Sequence, residues 1–193
     1  MPREIGERVV PPLYRPWDPD SSIDFHAARL LLLIGLCGKD PGPYIDGRTK
    51  LAKLDFFVRY PTFLQRAQES LSDTAAIIEI YNASGRSEVE APMIRYRYGP
   101  WDHRYRQFLA FLEARNLVSV TRSHKPERVR LTASGRKAAG KIANRAEFTP
   151  IVERCSAMRG NLADMPGTAL KELVYSVFPD EVGNIPLQQE ITP

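Results

Sequence analysis

The sequence predicts an α+β protein that is mainly helical. Two long segments, Ile23–Cys37 and Arg48–Arg59, carry apolar residues at helical spacing. Met93–Tyr98, Leu117–Arg122 and Arg128–Thr132 are short segments with strand character, bounded by turn residues. Apolar residues make up 43% of the 193, and charged residues 26%, a balance that supplies a core and excludes intrinsic disorder for most of the chain. The length suits one domain, or a domain with an added segment.

The elements follow in order. Residues 1–22 hold five prolines and form an extended arm in which Tyr14 and Trp17 are apolar anchors. Ser21 or Ser22 caps the helix Ile23–Cys37, and Gly38 stops it. Its Leu30–Ile34 run is apolar on every side, which marks a central helix. Lys39–Asp46 reads as a loop because Asp40-Pro41-Gly42-Pro43 are strong breakers. The helix from about Arg48 to Arg59 has a broad apolar face, with Lys50 and Lys53 expected on its other side. Tyr60-Pro61 ends it, and a short helix capped by Thr62 runs to about Ser70. Ala75–Tyr81 fits helix or strand, and Asn82–Glu90 reads as a polar loop.

Met93–Tyr98 is a half-buried strand broken by Gly99-Pro100. Asp102 caps a helix to about Asn116 that presents Tyr105, Phe108, Leu109 and Leu112 to a core. Leu117–Arg122 and Arg128–Thr132 form a hairpin, and Ser134 starts a helix to about Arg145. Thr149 caps a helix with Pro150 in its first turn, to about Arg159. The last helix is about Thr168–Val177, followed by an extended tail. The organisation is thus an arm (1–22), a helical core (23–146) and a C-terminal helical extension (147–193) that docks partners.

The longest apolar run, Leu30–Cys37, is far too short for a bilayer, and the N-terminus has acids and prolines where a secretion signal would be basic and apolar. Two cysteines, Cys37 and Cys155, make no disulfide framework, so the expected compartment is the cytoplasm. Charge is unevenly distributed. Residues 93–146 carry 13 basic and 3 acidic residues, whereas 1–92 and 147–193 are mildly acidic. A block of net +10 points to an anionic partner.

Within that block, helix, strand, turn, strand and helix follow over Asp102–Arg145, closing on Leu131-Thr132-Ala133-Ser134-Gly135-Arg136. This order resembles a winged helix, with the hairpin as the wing. It is atypical, because the sequence offers one helix rather than two between the first strand and the wing. The hairpin carries Arg122, His124, Lys125, Arg128 and Arg130, and the preceding helix carries His103, Arg104 and Arg106. With Arg95 and Arg97 on the strand before, these define the candidate nucleic-acid-binding set: Arg95, Arg97, Arg104, Arg106, Arg122, Lys125, Arg128 and Arg130. Tyr96-Arg97-Tyr98-Gly99-Pro100-Trp101-Asp102 is better explained as a structural corner than as a base-stacking platform.

Catalytic signals are poor. His26, His103 and His124 lie far apart, no zinc spacing exists, and neither a phosphate-binding glycine loop nor a serine elbow is present. No catalytic residue, metal or cofactor is expected.

Gly47-Arg48-Thr49-Lys50-Leu51-Ala52-Lys53-Leu54-Asp55-Phe56-Phe57-Val58-Arg59-Tyr60-Pro61, with Met93–Asp102 and with Leu170–Tyr175 before Phe178-Pro179, resembles the small middle components of bacterial ABC-three-component systems. These are antiphage and plasmid defence operons built around an SMC-like ATPase and an effector, the Lamassu type among them. The resemblance implies a non-enzymatic accessory subunit that bridges the SMC-like ATPase and a nuclease-type effector. Double-stranded DNA is then contacted without sequence preference, and no membrane is involved. The Lys-Leu-x-Lys-Leu helix and the Tyr-Gly-Pro turn also resemble a group of antitoxin-like proteins. A stand-alone winged-helix regulator is the other alternative.

Overall fold

The computed structural model describes residues 22–71, 92–123 and 125–192. The expectations for the N-terminal arm, for Ala75–Glu90 and for His124 lie outside the described residues. The chain is α+β and mostly helical. Its elements in order are α1 (Ile23–Cys37), β1 (Tyr44–Asp46), α2 (Arg48–Arg59), α3 (Pro61–Leu71), β2 (Ile94–Tyr96), β3 (Gly99–Trp101), α4 (Tyr105–Ala114), β4 (Val118–Thr121), β5 (Arg128–Leu131), α5 (Ala133–Ala143), α6 (Thr149–Met158) and α7 (Gly167–Val177).

The Ser22 hydroxyl accepts from the Phe25 N–H and fixes the start of α1. Leu30 to Ile34 are all fully buried, so this helix is surrounded by protein over its central turns. α2 is more enclosed than its sequence suggests. Lys50 and Lys53, expected on an outer face, are buried with the rest of the stretch Lys50–Arg59. Helices α1, α3, α6 and α7 all contact α2, and so does β3, which leaves Lys50–Arg59 no solvent side. The two ammonium groups are accommodated by carbonyls: Lys50 Nζ donates to Ala163 O at 2.7 Å and Lys53 Nζ to Thr49 O at 3.0 Å.

Lys39–Asp46 is not wholly loop. Beyond its breakers, Tyr44–Asp46 pairs antiparallel with β5, giving a three-stranded sheet of order β1-β5-β4. Ile45, Val129, Leu131 and Val118 point into the core, while Tyr44, Asp46, Arg128 and Arg130 alternate to the outer face. Among the described residues, three helices, α2, α3 and α4, therefore lie between the first strand and the β4–β5 hairpin, not one. Gly99-Pro100 also differs from expectation. The turn is at Arg97-Tyr98, and Gly99–Trp101 returns as β3 against β2.

The C-terminal block is packed inside. α6 lies on α1, and α7 on α2 and α3. Cys155, Met158, Leu170, Val174 and Phe178 belong to the same hydrophobic cluster as Leu30–Ile34. Phe63 joins Phe56 and Phe178 at ring-centroid distances of 5.0 and 4.7 Å. A π-helical turn (Pro179–Gly183) follows α7. The tail then runs beside β2, where the Ile191 N–H donates to Met93 O at 2.7 Å and the Arg95 N–H to Gln189 O at 2.8 Å.

Buried charges join the helices. Arg29 on α1 makes a two-pronged pair with Asp55 on α2, at 2.8 and 3.1 Å, and both side chains are fully buried. The Tyr105 hydroxyl on α4 donates to the same carboxylate at 2.8 Å. Burial, and then the Asp55 charge, pushes that hydroxyl well above its ordinary pKa, so it stays a donor. His26 Nδ1 lies 3.0 Å from Arg29 Nη1 and accepts, because a guanidinium can only donate.

Candidate nucleic-acid interface

The β4–β5 hairpin places the cations. Val118↔Leu131 and Val120↔Val129 set its register, so alternation turns Arg128 and Arg130 to the outer face. Its return end is fastened to the start of α2: the Glu127 carbonyl accepts from the Gly47 N–H at 2.7 Å, and its carboxylate accepts from Arg48 Nε. The hairpin is thus held at a fixed angle to the helical body. At its tip, Arg122 and Lys125 are exposed, and neither forms an ion pair among the described residues.

Arg128 and Arg130 are placed differently. Their guanidiniums lie 4.9 and 4.6 Å from the centre of the Tyr44 ring. Arg128 Nε also donates to Asp46 at 3.2 Å, and Arg130 Nη1 donates to the Pro41 and Gly42 carbonyls at 2.7 and 2.8 Å. Asp46 receives Lys39 as well, at 2.9 Å. Burial would raise the Asp46 pKa, but the Lys39 hydrogen bond and the charges of Lys39 and Arg128 hold it below the usual carboxylate value. The outer face is therefore a cation–aromatic layer in which part of each arginine is engaged by the β1 side of the sheet.

The remaining predicted residues do not join this group. Arg104 pairs with Asp102 at 2.8 Å and lies over Phe108 at 5.4 Å. Asp102 also accepts from the buried Arg59, at 2.9 Å. Burial opposes the Asp102 charge, but the Arg104 side-chain and backbone hydrogen bonds, with the Arg59 and Arg104 charges, lower its pKa to about 2. Asp102 is thus an acceptor shared by two arginines and not the expected cap, since the N-cap of α4 falls at Arg104. Arg95 turns into the C-terminal segment, where it donates to Ile185 O and lies 5.7 Å from the Tyr175 ring centre. Arg97 is exposed at the tip of the β2–β3 hairpin, beside Tyr98. Arg106 is exposed on α4. Of the eight, Arg122, Lys125, Arg128 and Arg130 share the hairpin.

Sequence reasoning missed Tyr44, around which the two sheet arginines gather. The signal is a lone aromatic after Pro43, legible only once β1 is known to pair with β5. The other acid and base side chains serve structure. The His26–Arg29–Asp55–Tyr105 cluster is fully enclosed. Cys37 and Cys155 are buried free thiols, with Cys37 Sγ donating to Cys155 O at 3.3 Å. Among the described residues, no three His, Cys, Asp or Glu side chains gather as a metal site, and no helix is long and apolar enough to cross a membrane. Comparison of the chain with protein-family models, with curated proteins and with solved structures finds no match.

Proposed function

We propose that this protein is a non-enzymatic accessory subunit of a multi-protein bacterial defence complex that contacts the DNA backbone through a winged-helix surface. The carrying observation is the anchored β4–β5 hairpin with Arg122 and Lys125 exposed at its tip above the Arg128–Tyr44–Arg130 layer. The order α1, β1, α2, α4, β4, β5 and the strand order β1-β5-β4 support the winged-helix reading, with α3 and the β2–β3 hairpin as an insertion before α4. Backbone contact without sequence preference is favoured over operator recognition. The exposed side of α4 offers Arg106 and Gln107 but then Ala110 and Ala114, few groups for reading base edges. The partners, an SMC-like ATPase and a nuclease-type effector in the cytoplasm, rest on the resemblance of the Gly47–Pro61 and Met93–Asp102 strings.

The test is fluorescence anisotropy of labelled duplex DNA over a salt series. Wild-type protein is expected to bind with steep salt dependence, equally to unrelated sequences. Arg122→Gln/Lys125→Gln is expected to flatten the slope by about 0.9 for each phosphate that is no longer neutralised. Absence of binding at low salt overturns the reading, and strong preference for one palindrome replaces it with an operator-binding regulator. A tagged chain expressed with its neighbouring genes is expected to co-purify the ATPase.

A further inference from the structure

We infer that the duplex lies along the outer face of the sheet and continues onto α5, where Lys137 and Lys141 hold backbone phosphates, instead of receiving α4 in its major groove. This rests on the nucleic-acid reading above and specifies its geometry. Three observations carry it.

The first is where uncommitted positive charge sits. Around the sheet, Arg128 and Lys39 share Asp46, and Arg48 at the start of α2 is paired with Glu127. On α5, Lys137 and Lys141 are exposed and form no ion pair among the described residues. No acidic residue occurs between Glu127 and Glu147. The helix thus carries the less neutralised cations of the two surfaces.

The second is their placement. α5 buries Gly135 and Ala139, and Ile142 packs against the core from the same side. Lys137 and Lys141 are on the opposite side, four residues apart, so they stand in line with a rise of about 6 Å. One DNA strand carries a charge about every 3.4 Å along the axis, so this rise overlies about two phosphates. Lys141 is in the last turn, where a cation also complements the helix dipole, but Lys137 is not.

The third is continuity. Arg130 ends the outer sheet face and Arg136 opens α5, and both approach Gly42. Their Nη1 atoms lie 3.0 and 3.8 Å from the point where a Cβ on that glycine would sit. The junction is rigid: the Thr132 hydroxyl accepts from the Gly135 N–H at 2.9 Å, and a Cβ on Gly135 would fall 1.9 Å from Leu117 O. The path from the hairpin tip over Arg128 and Arg130 to Arg136 and Lys137 therefore has a fixed shape. By contrast, α4 offers Arg106 and Gln107 followed by alanines.

The experiment compares four forms of the full chain by duplex anisotropy over a salt series: wild type, Lys137→Gln/Lys141→Gln, Arg122→Gln/Lys125→Gln and Arg106→Gln/Gln107→Ala. The α5 variant is expected to bind roughly tenfold more weakly at low salt, with a slope flatter by about 1.8. The α4 variant is expected to lose less. An α5 variant that matches wild type while the hairpin variant is flattened overturns the path onto α5 and leaves the nucleic-acid reading intact. A larger loss from the α4 variant than from the α5 variant overturns it in favour of groove insertion. A wild-type chain that binds no duplex overturns both. Lysine acetylation of the wild type is the independent check: duplex is expected to protect Lys137 and Lys141, and unchanged labelling overturns the inference.

Discussion

Arginine does opposite work in two regions of this molecule. Where α1, α2 and α4 meet, Arg29 is wholly buried and its guanidinium is directed at named partners, Asp55 above all. On the β4–β5 hairpin, Arg122 sits in solvent. The difference teaches that the positive charge of the sequence cannot be read as one surface. A buried arginine is a cross-link whose cost in desolvation is offset only while its partner is present. An exposed one contributes little to stability and keeps its charge for something outside the chain.

The largest expected effect tests the buried side. Asp55→Ala removes the buried carboxylate that Arg29 grips with two hydrogen bonds and that accepts from the Tyr105 hydroxyl. Removal of one partner from a buried pair costs about 3–5 kcal/mol. Urea unfolding followed by circular dichroism should show the midpoint fall accordingly. The double variant Arg29→Met/Asp55→Leu sharpens the comparison, because replacing both charges with apolar groups is often neutral. It is expected to recover much of the loss. A single variant within about 1 kcal/mol of wild type would show that the cross-link does not hold these helices.

That contrast also explains what the sequence discloses. The ends of α1 and α2 are legible because Ser22, Gly38 and the Tyr60-Pro61 step punctuate long apolar runs. The core face of α4 is legible from the spacing of Tyr105, Phe108, Leu109 and Leu112, all buried. β1 is not, since three residues after two prolines give no alternation to detect; its strand geometry comes from pairing with Arg128–Arg130 far along the chain. With β1 hidden, two further facts are hidden too: the helices between first strand and hairpin, and the role of Tyr44. The buried network is invisible for a similar reason. Asp55 and Arg29 lie 26 residues apart, and only the packing of α1 on α2 brings them together. Of the candidate site, the exposure of Arg122 and Lys125 is legible because a hairpin connection displays its polar side chains whatever the tertiary structure does. The surroundings of Arg95 and Arg104 are not legible from sequence, because their partners, Ile185 and Tyr175 for one and the shared Asp102 for the other, depend on the fold.

Lys53 extends the comparison to a cation buried, among the described residues, without a carboxylate partner. Burial, with Lys171 adding repulsion, lowers its pKa to about 8. In the unfolded chain the amine titrates near its ordinary value of about 10.4. Between these values the unfolded state binds more protons than the folded one, so stability rises with pH from about 8 to about 10.4. Below pH 8 both states are protonated and the penalty of the buried charge is present in full. Lys53→Met is therefore expected to be more stable than wild type at pH 7, by something on the order of 2–3 kcal/mol, and to lack the rise above pH 8. Denaturant melts at pH 7, 8, 9 and 10 measure both. A wild-type profile flat across that interval would mean that the amine is solvated as an ordinary surface lysine.

The smallest effects divide the hairpin itself. Sequence alone places its four cations in one candidate set, but the structure separates them into two pairs. Arg128 and Arg130 bracket Tyr44 and bind Asp46 and the Pro41 and Gly42 carbonyls, so they hold β1 against β5. Arg128→Gln/Arg130→Gln removes two cation–aromatic interactions at a half-exposed site, each about 0.5–1 kcal/mol, along with the hydrogen bonds. A fall of a few degrees in Tm is expected. Arg122→Gln/Lys125→Gln disturbs no such interaction and should change stability by less than about 0.5 kcal/mol. Duplex affinity should follow another order, because phosphate binding depends on charge that is still accessible. The tip pair is expected to lose at least as much salt-dependent binding as the sheet pair while melting like wild type. If the two pairs instead fall together in both Tm and affinity, the hairpin acts through its shape, and the exposed charges at its tip are not a separate binding element.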